Sequence, residues 1–208
     1  MSARLLLLAK APVPGRVKTR LCPPWTLEQA ARLAAAALAD TIDTVTAAPA
    51  GHRVLVVDGQ YPAPPGWARR DQRGGPLGER IANAFADCGG PAVLIGMDTP
   101  QVTVAHLTAA LRPLTAPGGP DAVLGLAADG GWWALGLRDP EVAGALREIP
   151  TSTPDTGATT LAELRRRGLR VAMLPVLRDV DTSADAVAAA TLCAPGSRFA
   201  QTLATVGG

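Results

Sequence analysis

The sequence predicts an α/β protein in which a mostly parallel sheet carries helices on both faces. Two observations lead to this fold class. Short apolar runs, of the kind that form strands buried on both faces, alternate along the chain with segments that have helical spacing. The 208 residues are 48% hydrophobic and 18% charged, which suits a core of one domain. Since no repeat or interdomain linker is visible, we predict one domain over residues 1–195 and a C-terminal tail over 196–208.

The predicted elements follow one another as strand–helix units. Residues 4–9 form an apolar run that predicts the first strand, and Thr26 with Gln29 has the capping-box pattern that begins the first helix. Further strands are predicted over residues 53–57, 92–96, 122–126, 132–137 and 170–174. Further helices are predicted over residues 77–88, 103–114, 140–147, 156–167 and 183–193. Residues 60–76 are predicted to be a long connection, and the chain after Pro195 a loosely held tail.

Composition and charge exclude several classes of protein. The net charge is +2, and the only run of cations, residues 165–167, is typical of a solvated helix end, so we expect no nucleic-acid partner. Cys22, Cys88 and Cys193 are scattered, which argues against disulfides or a zinc site. The apolar run at residues 5–8 is too short for a signal peptide or a membrane span. We therefore predict a cytoplasmic protein without a membrane partner.

The loop after the first strand is rich in cations. Lys10, Arg16, Lys18 and Arg20 lie within eleven residues, and Gly15 allows the backbone to bend closely round a ligand. Arginine and lysine donate to phosphate oxygens, and open α/β sheets bind ligands beyond the carboxyl ends of their strands. The Walker A pattern is absent. We predict that these residues bind a phosphate group, with a solvated basic loop as the alternative.

Two acids come at the ends of predicted strands. Asp98 directly follows a buried strand, and Asp181 belongs to the acidic segment that starts at Asp179. Carboxylates in such places suit Mg²⁺ or Mn²⁺, which prefer oxygen ligands and bridge to substrate phosphates. We predict Asp98 and Asp181 as metal ligands. The alternative is helix capping, by Asp98 for the helix near Thr103 and by Asp181 or Ser183 for the last predicted helix.

The segment that begins at Asp129 is a candidate for binding the second substrate. Asp129 precedes two glycines that allow close approach, so it is predicted to act as an acid or base or to bind acceptor hydroxyls. The alternative is a hairpin turn, because Asp-Gly is a frequent turn signal. Trp132 and Trp133 should point to opposite faces, one into the core and one toward a sugar or base. Trp67 is a further candidate for stacking.

Five motifs occur in a fixed order along the chain. They lie at residues 10–21, 77–80, 95–100, 129–137 and 179–182. Together they resemble a family of uncharacterised bacterial GT-A-like glycosyltransferases, some of which are linked with arsenosugar biosynthesis. The resemblance covers nearly the whole chain, to about residue 190.

This resemblance implies a Rossmann-like fold of the GT-A, or nucleotide-diphospho-sugar transferase, type. It also implies that the cations of the first loop bind nucleotide phosphates. Asp98 would stand for the metal-binding acid of the GT-A D-x-D motif, with Mg²⁺ or Mn²⁺ as cofactor. The chain departs from that motif because Gly96 occupies the place of the first acid.

The expected activity is a metal-assisted transfer of a sugar from a nucleotide diphosphate donor to a small acceptor. Two alternatives stay open. A nucleotidylyltransferase of guanylyltransferase type would attack the α-phosphorus of a nucleoside triphosphate and release pyrophosphate, although its first loop is usually richer in glycine. A non-catalytic nucleotide-binding protein would keep the fold without the reaction. The expected partners are a nucleotide or nucleotide sugar and a small acceptor, and a homo-oligomer is left open.

Overall fold

The computed structural model describes residues 3–206, and seven strands, six α-helices and two 3-10 helices lie within them. The strands are β1 (Arg4–Lys10), β2 (His52–Asp58), β3 (Ala68–Asp71), β4 (Ala92–Gly96), β5 (Ala122–Ala127), β6 (Trp132–Leu137) and β7 (Val171–Leu177). The α-helices are α1 (Leu27–Ala47), α2 (Leu77–Ala86), α3 (Val104–Thr115), α4 (Thr156–Arg166), α5 (Ser183–Ala190) and α6 (Arg198–Val206). The 3-10 helices span Thr19–Leu21 and Pro140–Glu148.

All seven strands form one sheet in the order β3-β2-β1-β4-β6-β5-β7. β6 runs antiparallel to β4 and β5, and the other neighbouring pairs among the described strands are parallel. The predicted mostly parallel α/β sheet is confirmed. Because β6 returns directly from β5, the turn at residues 128–131 lies at the same edge as the carboxyl ends of β1, β4 and β7. That edge is where ligands bind in open α/β sheets.

Helices cover both faces of the sheet, as predicted. On one face the core includes Leu38 of α1 and Leu111 of α3. On the other it includes Phe85 of α2, Leu146 of the second 3-10 helix and Leu164 of α4. The apolar stripes of these helices thereby pack on a sheet whose strands are buried from both sides, whereas α5 and α6 pack in a third apolar cluster with α1.

The predicted start of the first helix is confirmed in detail. Thr26 Oγ1 accepts a hydrogen bond from the Gln29 backbone N at 3.2 Å, and Gln29 Oε1 accepts one from the Thr26 backbone N at 2.8 Å. This capping box fixes where the chain leaves the first loop and enters α1.

The long connection predicted over residues 60–76 contains the edge strand β3. Its four residues, Ala68–Asp71, include two arginines and an aspartate, so they lack the apolar alternation that indicates a strand. They pair with β2 in parallel and are mostly exposed. A short, charged edge strand of this kind also resists pairing with other chains.

The prediction of a loosely held chain after Pro195 was wrong, because α6 spans Arg198–Val206. Phe199 is 1% exposed, and its backbone N donates to Asp40 Oδ2 of α1 at 2.8 Å. The Arg198 guanidinium also pairs with Asp43 Oδ2 at 2.6 Å. α6 therefore packs against α1, and only residues 207–208 of the predicted tail lie outside the described residues. Within residues 3–206, no helix is both long and apolar enough to cross a bilayer.

Candidate functional site

A group of charged side chains comes together at the carboxyl edge of the sheet. Lys18 belongs to the loop after β1, Asp98 to the loop after β4, and Asp179 and Asp181 to the segment after β7. These residues are up to 163 positions apart in sequence. Ion pairs connect Lys18 with Asp98 and Asp181, and Asp179 accepts a hydrogen bond from Thr99, the residue after Asp98. We call Lys18, Asp98, Asp179 and Asp181 the charged cluster.

The Lys18 ammonium lies at the centre of the charged cluster. Its Nζ is 2.9 Å from Asp98 Oδ1 and 3.1 Å from Asp181 Oδ1, and the Lys18 side chain is only 10% exposed. Burial by itself lowers the pKa of Lys18, but the two neighbouring carboxylates raise it above its ordinary value. Lys18 is therefore a fixed positive charge that bridges two acids from different loops.

The first loop holds Lys18 in place through its own backbone and core contacts. Lys18 has a left-handed backbone conformation, with φ 51° and ψ 37°, immediately before the 3-10 helix. The helix then buries Leu21, which is 0% exposed and packs in an apolar cluster with Phe199 of α6. Arg20 extends outward from the same turn and pairs with Asp181 Oδ2 at 3.3 Å. The C-terminal helices thus support the loop that carries the two cations.

The segment after β7 folds back along the loop after β4. The Val180 backbone N donates to the Asp98 carbonyl at 2.9 Å, and Gln101 Nε2 donates to the Arg178 carbonyl at 2.7 Å. These bonds bring the acids of the last loop beside Asp98, although β6 and β5 separate β4 from β7 in the sheet.

Neither acid predicted as a metal ligand caps a helix. Thr103 caps α3 and accepts a hydrogen bond from the His106 backbone N at 3.3 Å. Thr182 caps α5, so the expected alternative cap at Asp181 or Ser183 was wrong. Asp98 and Asp181 are therefore available for the charged cluster.

Asp179 is the most perturbed acid of the charged cluster. Its pKa is raised to about 6, mainly by burial and also by the charges of Asp98 and Asp129, while a hydrogen bond from Thr99 opposes the change. The Thr99 Oγ1 donates to Asp179 Oδ1 at 2.7 Å. Sequence reasoning placed Asp179 at a strand end but chose Asp181 as the ligand. The only sequence signal for both was the spacing of two acids after the last strand.

Asp129 lies in the turn between β5 and β6. Its side chain bonds within that turn, which is the alternative predicted from the Asp-Gly pair. Its Oδ1 accepts a hydrogen bond from the Gly131 backbone N at 2.9 Å. The carboxylate is exposed and near enough to raise the pKa of Asp179.

Of the two following tryptophans, Trp133 is buried and donates to the Pro175 carbonyl at 2.9 Å, whereas Trp132 is half-buried. Trp67, predicted to stack on a ligand, is instead part of the core.

The remaining predicted phosphate-binding residues lie at the end of β1 and in the first loop, and they form no direct bond to the charged cluster among residues 3–206. Lys10 and Arg16 have exposed side chains that form no hydrogen bond or ion pair within residues 3–206. Gly15 has a φ of +76°, a left-handed conformation that favours glycine, so its predicted role in bending the loop agrees with the geometry.

One further cation at this edge was missed as a site residue. Arg80, at the start of α2, pairs with Asp58 Oδ2 at 3.1 Å, at the carboxyl end of β2, and donates to the Gly75 carbonyl at 2.9 Å. Glu79 accepts from the Gly75 backbone N at 2.9 Å. Residues 79–80 of the second motif therefore hold the loop before α2 against the sheet edge, which a local reading of the sequence could not reveal.

The donor set of the charged cluster fits a divalent cation under one condition. In the described part of the chain, no three His, Cys, Asp or Glu side chains form a group able to hold a metal. Mg²⁺ accepts one or two carboxylates and leaves its other positions to phosphates and water. Asp98 and Asp181 can supply such a pair, and they already hold a cationic group, the Lys18 ammonium. They fit the ion if Lys18 moves away.

Comparison with solved structures supports the fold assignment. A protein from Desulfovibrio desulfuricans G20, provisionally named a nucleotide-diphospho-sugar transferase, is 28% identical with a TM-score of 0.84, over 99% of this chain and 95% of that chain. The manganese complex of Rv0371c from Mycobacterium tuberculosis H37Rv is 22% identical with a TM-score of 0.56, over 91% and 98% of the two chains.

More distant enzymes have the same fold. The 2-C-methyl-D-erythritol 4-phosphate cytidylyltransferase from Thermus thermophilus is 14% identical with a TM-score of 0.57, over 92% of this chain and 98% of that chain. The predicted nucleotide-diphospho-sugar transferase fold is thus confirmed. No curated protein matches the chain in sequence. Residues 29–153, more than half of the chain, match a family pattern, and the protein belongs to the bacterial family described as "Uncharacterized protein conserved in bacteria (DUF2064)".

Proposed function

We propose that this protein transfers a sugar from a nucleotide diphosphate donor to a small acceptor, with the help of Mg²⁺ or Mn²⁺. The observation that carries the proposal is the bridge from Lys18 to Asp98 and Asp181. It joins a cationic loop suited to phosphate with acids suited to a metal, at the edge where α/β sheets bind ligands. The name of the Desulfovibrio protein, at 28% identity, also supports a transferase that uses nucleotide sugars.

The donor phosphates are assigned to the first loop. Lys18 and Arg20 would donate from the base of the loop, and the exposed Lys10 and Arg16 from its outer part, while Gly15 lets the backbone approach. Asp98 and Asp181 would hold the divalent cation, which when bound neutralises charge that develops on the departing diphosphate. Manganese in the structure of Rv0371c supports this assignment for the fold, although that protein is only 22% identical.

The acceptor side is assigned to Asp129. In the reaction, the bond between the anomeric carbon and the β-phosphate oxygen breaks, and the nucleoside diphosphate leaves with that electron pair. The acceptor hydroxyl oxygen forms the new bond to the anomeric carbon and releases a proton. The exposed Asp129 carboxylate, beside the charged cluster, would orient that hydroxyl and accept its proton.

Nucleotidyl transfer is the second candidate. The likeness to cytidylyltransferases supports it, since the same fold in another enzyme is complexed with CTP. The first loop favours sugar transfer, because Gly15 is its one glycine before Arg20 and stands beside Pro12 and Pro14, so the loop lacks a glycine-rich stretch.

The test is a thermal-shift screen with nucleoside diphosphates, nucleotide sugars and nucleoside triphosphates, each with and without Mn²⁺. A ligand at about 100 times its Kd should raise Tm by about 5–10 °C. We expect the largest rise with a diphosphate or nucleotide sugar plus Mn²⁺, and its loss in Asp98→Asn. The control Asp43→Asn removes an exposed, ion-paired carboxylate from α1 and should keep the response.

The outcomes separate the three functions. Stabilisation by triphosphates alone would replace sugar transfer by nucleotidyl transfer, and pyrophosphate release would then identify the reaction. No stabilisation with any nucleotide would remove the support for catalysis and favour a non-catalytic protein. Equal responses in Asp98→Asn and Asp43→Asn would refute the role of Asp98.

A further inference from the structure

The bridging lysine occupies the acids that a metal would need. Lys18 Nζ contacts Oδ1 of Asp98 at 2.9 Å and Oδ1 of Asp181 at 3.1 Å. Mg²⁺ binds its oxygen ligands at about 2.0–2.1 Å and tolerates little distortion. An ammonium group and a divalent cation cannot share these oxygens at such distances, because the two positive charges would repel at short range.

The surroundings make this competition strong. The Lys18 side chain is 10% exposed and the Asp98 and Asp181 side chains 40% and 39%, so solvent and salt screen these ion pairs only in part. Arg20 adds a second cation on the other oxygen of Asp181, at 3.3 Å. Both carboxylates thus have positive partners before any metal arrives.

Lysine is also a rare residue in this chain. Among its 20 lysines and arginines, only Lys10 and Lys18 are lysines, and both belong to the first loop. A lysine ammonium on a flexible stem can exchange one acceptor for another more readily than a forked arginine that is held bidentately. The position that bridges the two acids therefore carries the cation best able to move.

We propose that Lys18 closes the Asp98–Asp181 pair to divalent cations in the free protein, and that a phosphate group opens it by drawing the ammonium away. A bound phosphate offers Lys18 new oxygen acceptors and brings negative charge that attracts the metal. Metal and phosphate then bind with positive coupling, which by linkage acts equally in both directions. This inference rests on the metal site of the proposed function, but it concerns when that site can be filled.

The experiment measures Mn²⁺ binding without any nucleotide, by calorimetry and by the free-Mn²⁺ electron paramagnetic resonance signal. Lys18→Met keeps most of the side-chain volume and removes the charge, so it should bind Mn²⁺ at least about fivefold more tightly than the wild type. Lys18→Arg keeps the charge on a group that moves away less readily, so it should bind Mn²⁺ no more tightly than the wild type. The double variant Lys18→Met with Asp98→Asn should lose the gain.

A second measurement uses the wild-type protein and does not depend on how a variant folds. Amine acylation followed by peptide mass spectrometry can follow Lys18, with the exposed Lys10 as the internal standard in the same molecule. Mn²⁺ at a saturating concentration, established by the titration, should raise the acylation of Lys18 relative to Lys10 by at least about fivefold.

Two results would overturn the inference. One is an Mn²⁺ affinity of a folded Lys18→Met variant that equals or falls below that of the wild type. The other is acylation of Lys18 that saturating Mn²⁺ leaves unchanged. Because neither measurement involves a nucleotide or a sugar, a failed nucleotide screen would refute the proposed function without altering these outcomes.

Discussion

Asp179 offers a sharp test of how the charged cluster is built. It is half-buried, and it accepts a hydrogen bond from Thr99 Oγ1 at 2.7 Å. The negative charges of Asp98 and Asp129 repel its own charge. Asp179→Asn keeps a carbonyl oxygen for Thr99 but carries no charge. We therefore expect this substitution to stabilise the folded protein at pH 8.

The magnitude follows from the pKa of Asp179, which burial raises from 3.8 to about 6. Between these values the folded protein retains a proton that the unfolded chain has lost, so stability falls as the pH rises from 3.8 to about 6 and is level above that. The full difference corresponds to about 3 kcal/mol above pH 6. Allowing for about one unit in the pKa, Asp179→Asn should gain about 1–3 kcal/mol at pH 8 and almost nothing at pH 4.

The assay is urea unfolding of both proteins at several pH values from 4 to 8, in metal-free buffer. The control is Asp155→Asn, since Asp155 is exposed and its side chain makes no hydrogen bond or ion pair within residues 3–206. Its free energy of unfolding should change by less than about 0.5 kcal/mol at every pH. A loss of stability in Asp179→Asn at pH 8, or a gain that does not depend on pH, would refute the assignment of burial as the cause.

Two packing predictions concern the rest of the fold, and both are measured by urea unfolding. Phe199→Ala should cost about 3–5 kcal/mol because its ring is 1% exposed, whereas Leu192→Ala, 59% exposed, should change stability by less than about 0.5 kcal/mol. If both behave alike, α6 is not part of the core. Gly78→Ala should cost about 1–3 kcal/mol, because its methyl group would meet the Leu146 carbonyl oxygen. Gly144→Ala enters open space and serves as its control; equal losses would refute the close approach of α2.

The sequence predicted the elements whose apolar residues face a core. β4 and β6 were predicted with the bounds that the structure has, because Ala92–Gly96 and Trp132–Leu137 are apolar runs ended by turns. β3 was missed since Ala68–Asp71 is polar and gains its order from pairing with β2. α6 was missed although Phe199, Leu203 and Val206 have helical spacing, and its main anchor, Phe199, packs in one apolar cluster with residues of α1.

The sequence was enough to predict which residues belong to the candidate site, but not which of them contact one another. Chain order and strand ends were enough to select Lys18, Asp98 and Asp181. That Lys18 bridges the two acids depends on the path of residues 178–181 along the loop after β4, which hydrogen bonds to Asp98 and Gln101 determine. No local pattern carries that information, because the partners lie about 80 positions or more apart in sequence.

The charge at this edge explains why metal and nucleotide should act together. Acids outnumber the cations paired with them here: Asp98, Asp129, Asp179 and Asp181 against Lys18 and Arg20. With the exposed Lys10 and Arg16 of the first loop, cations and acids are only equal in number, and a diphosphate brings several more negative charges, so a further cation should strengthen its binding. A divalent cation on the acids supplies this positive charge and releases Lys18 for the phosphate. We therefore expect the nucleotide affinity to depend on Mn²⁺ whether the transferred group is a sugar or a nucleotidyl group, because the charge balance belongs to the site and not to the reaction.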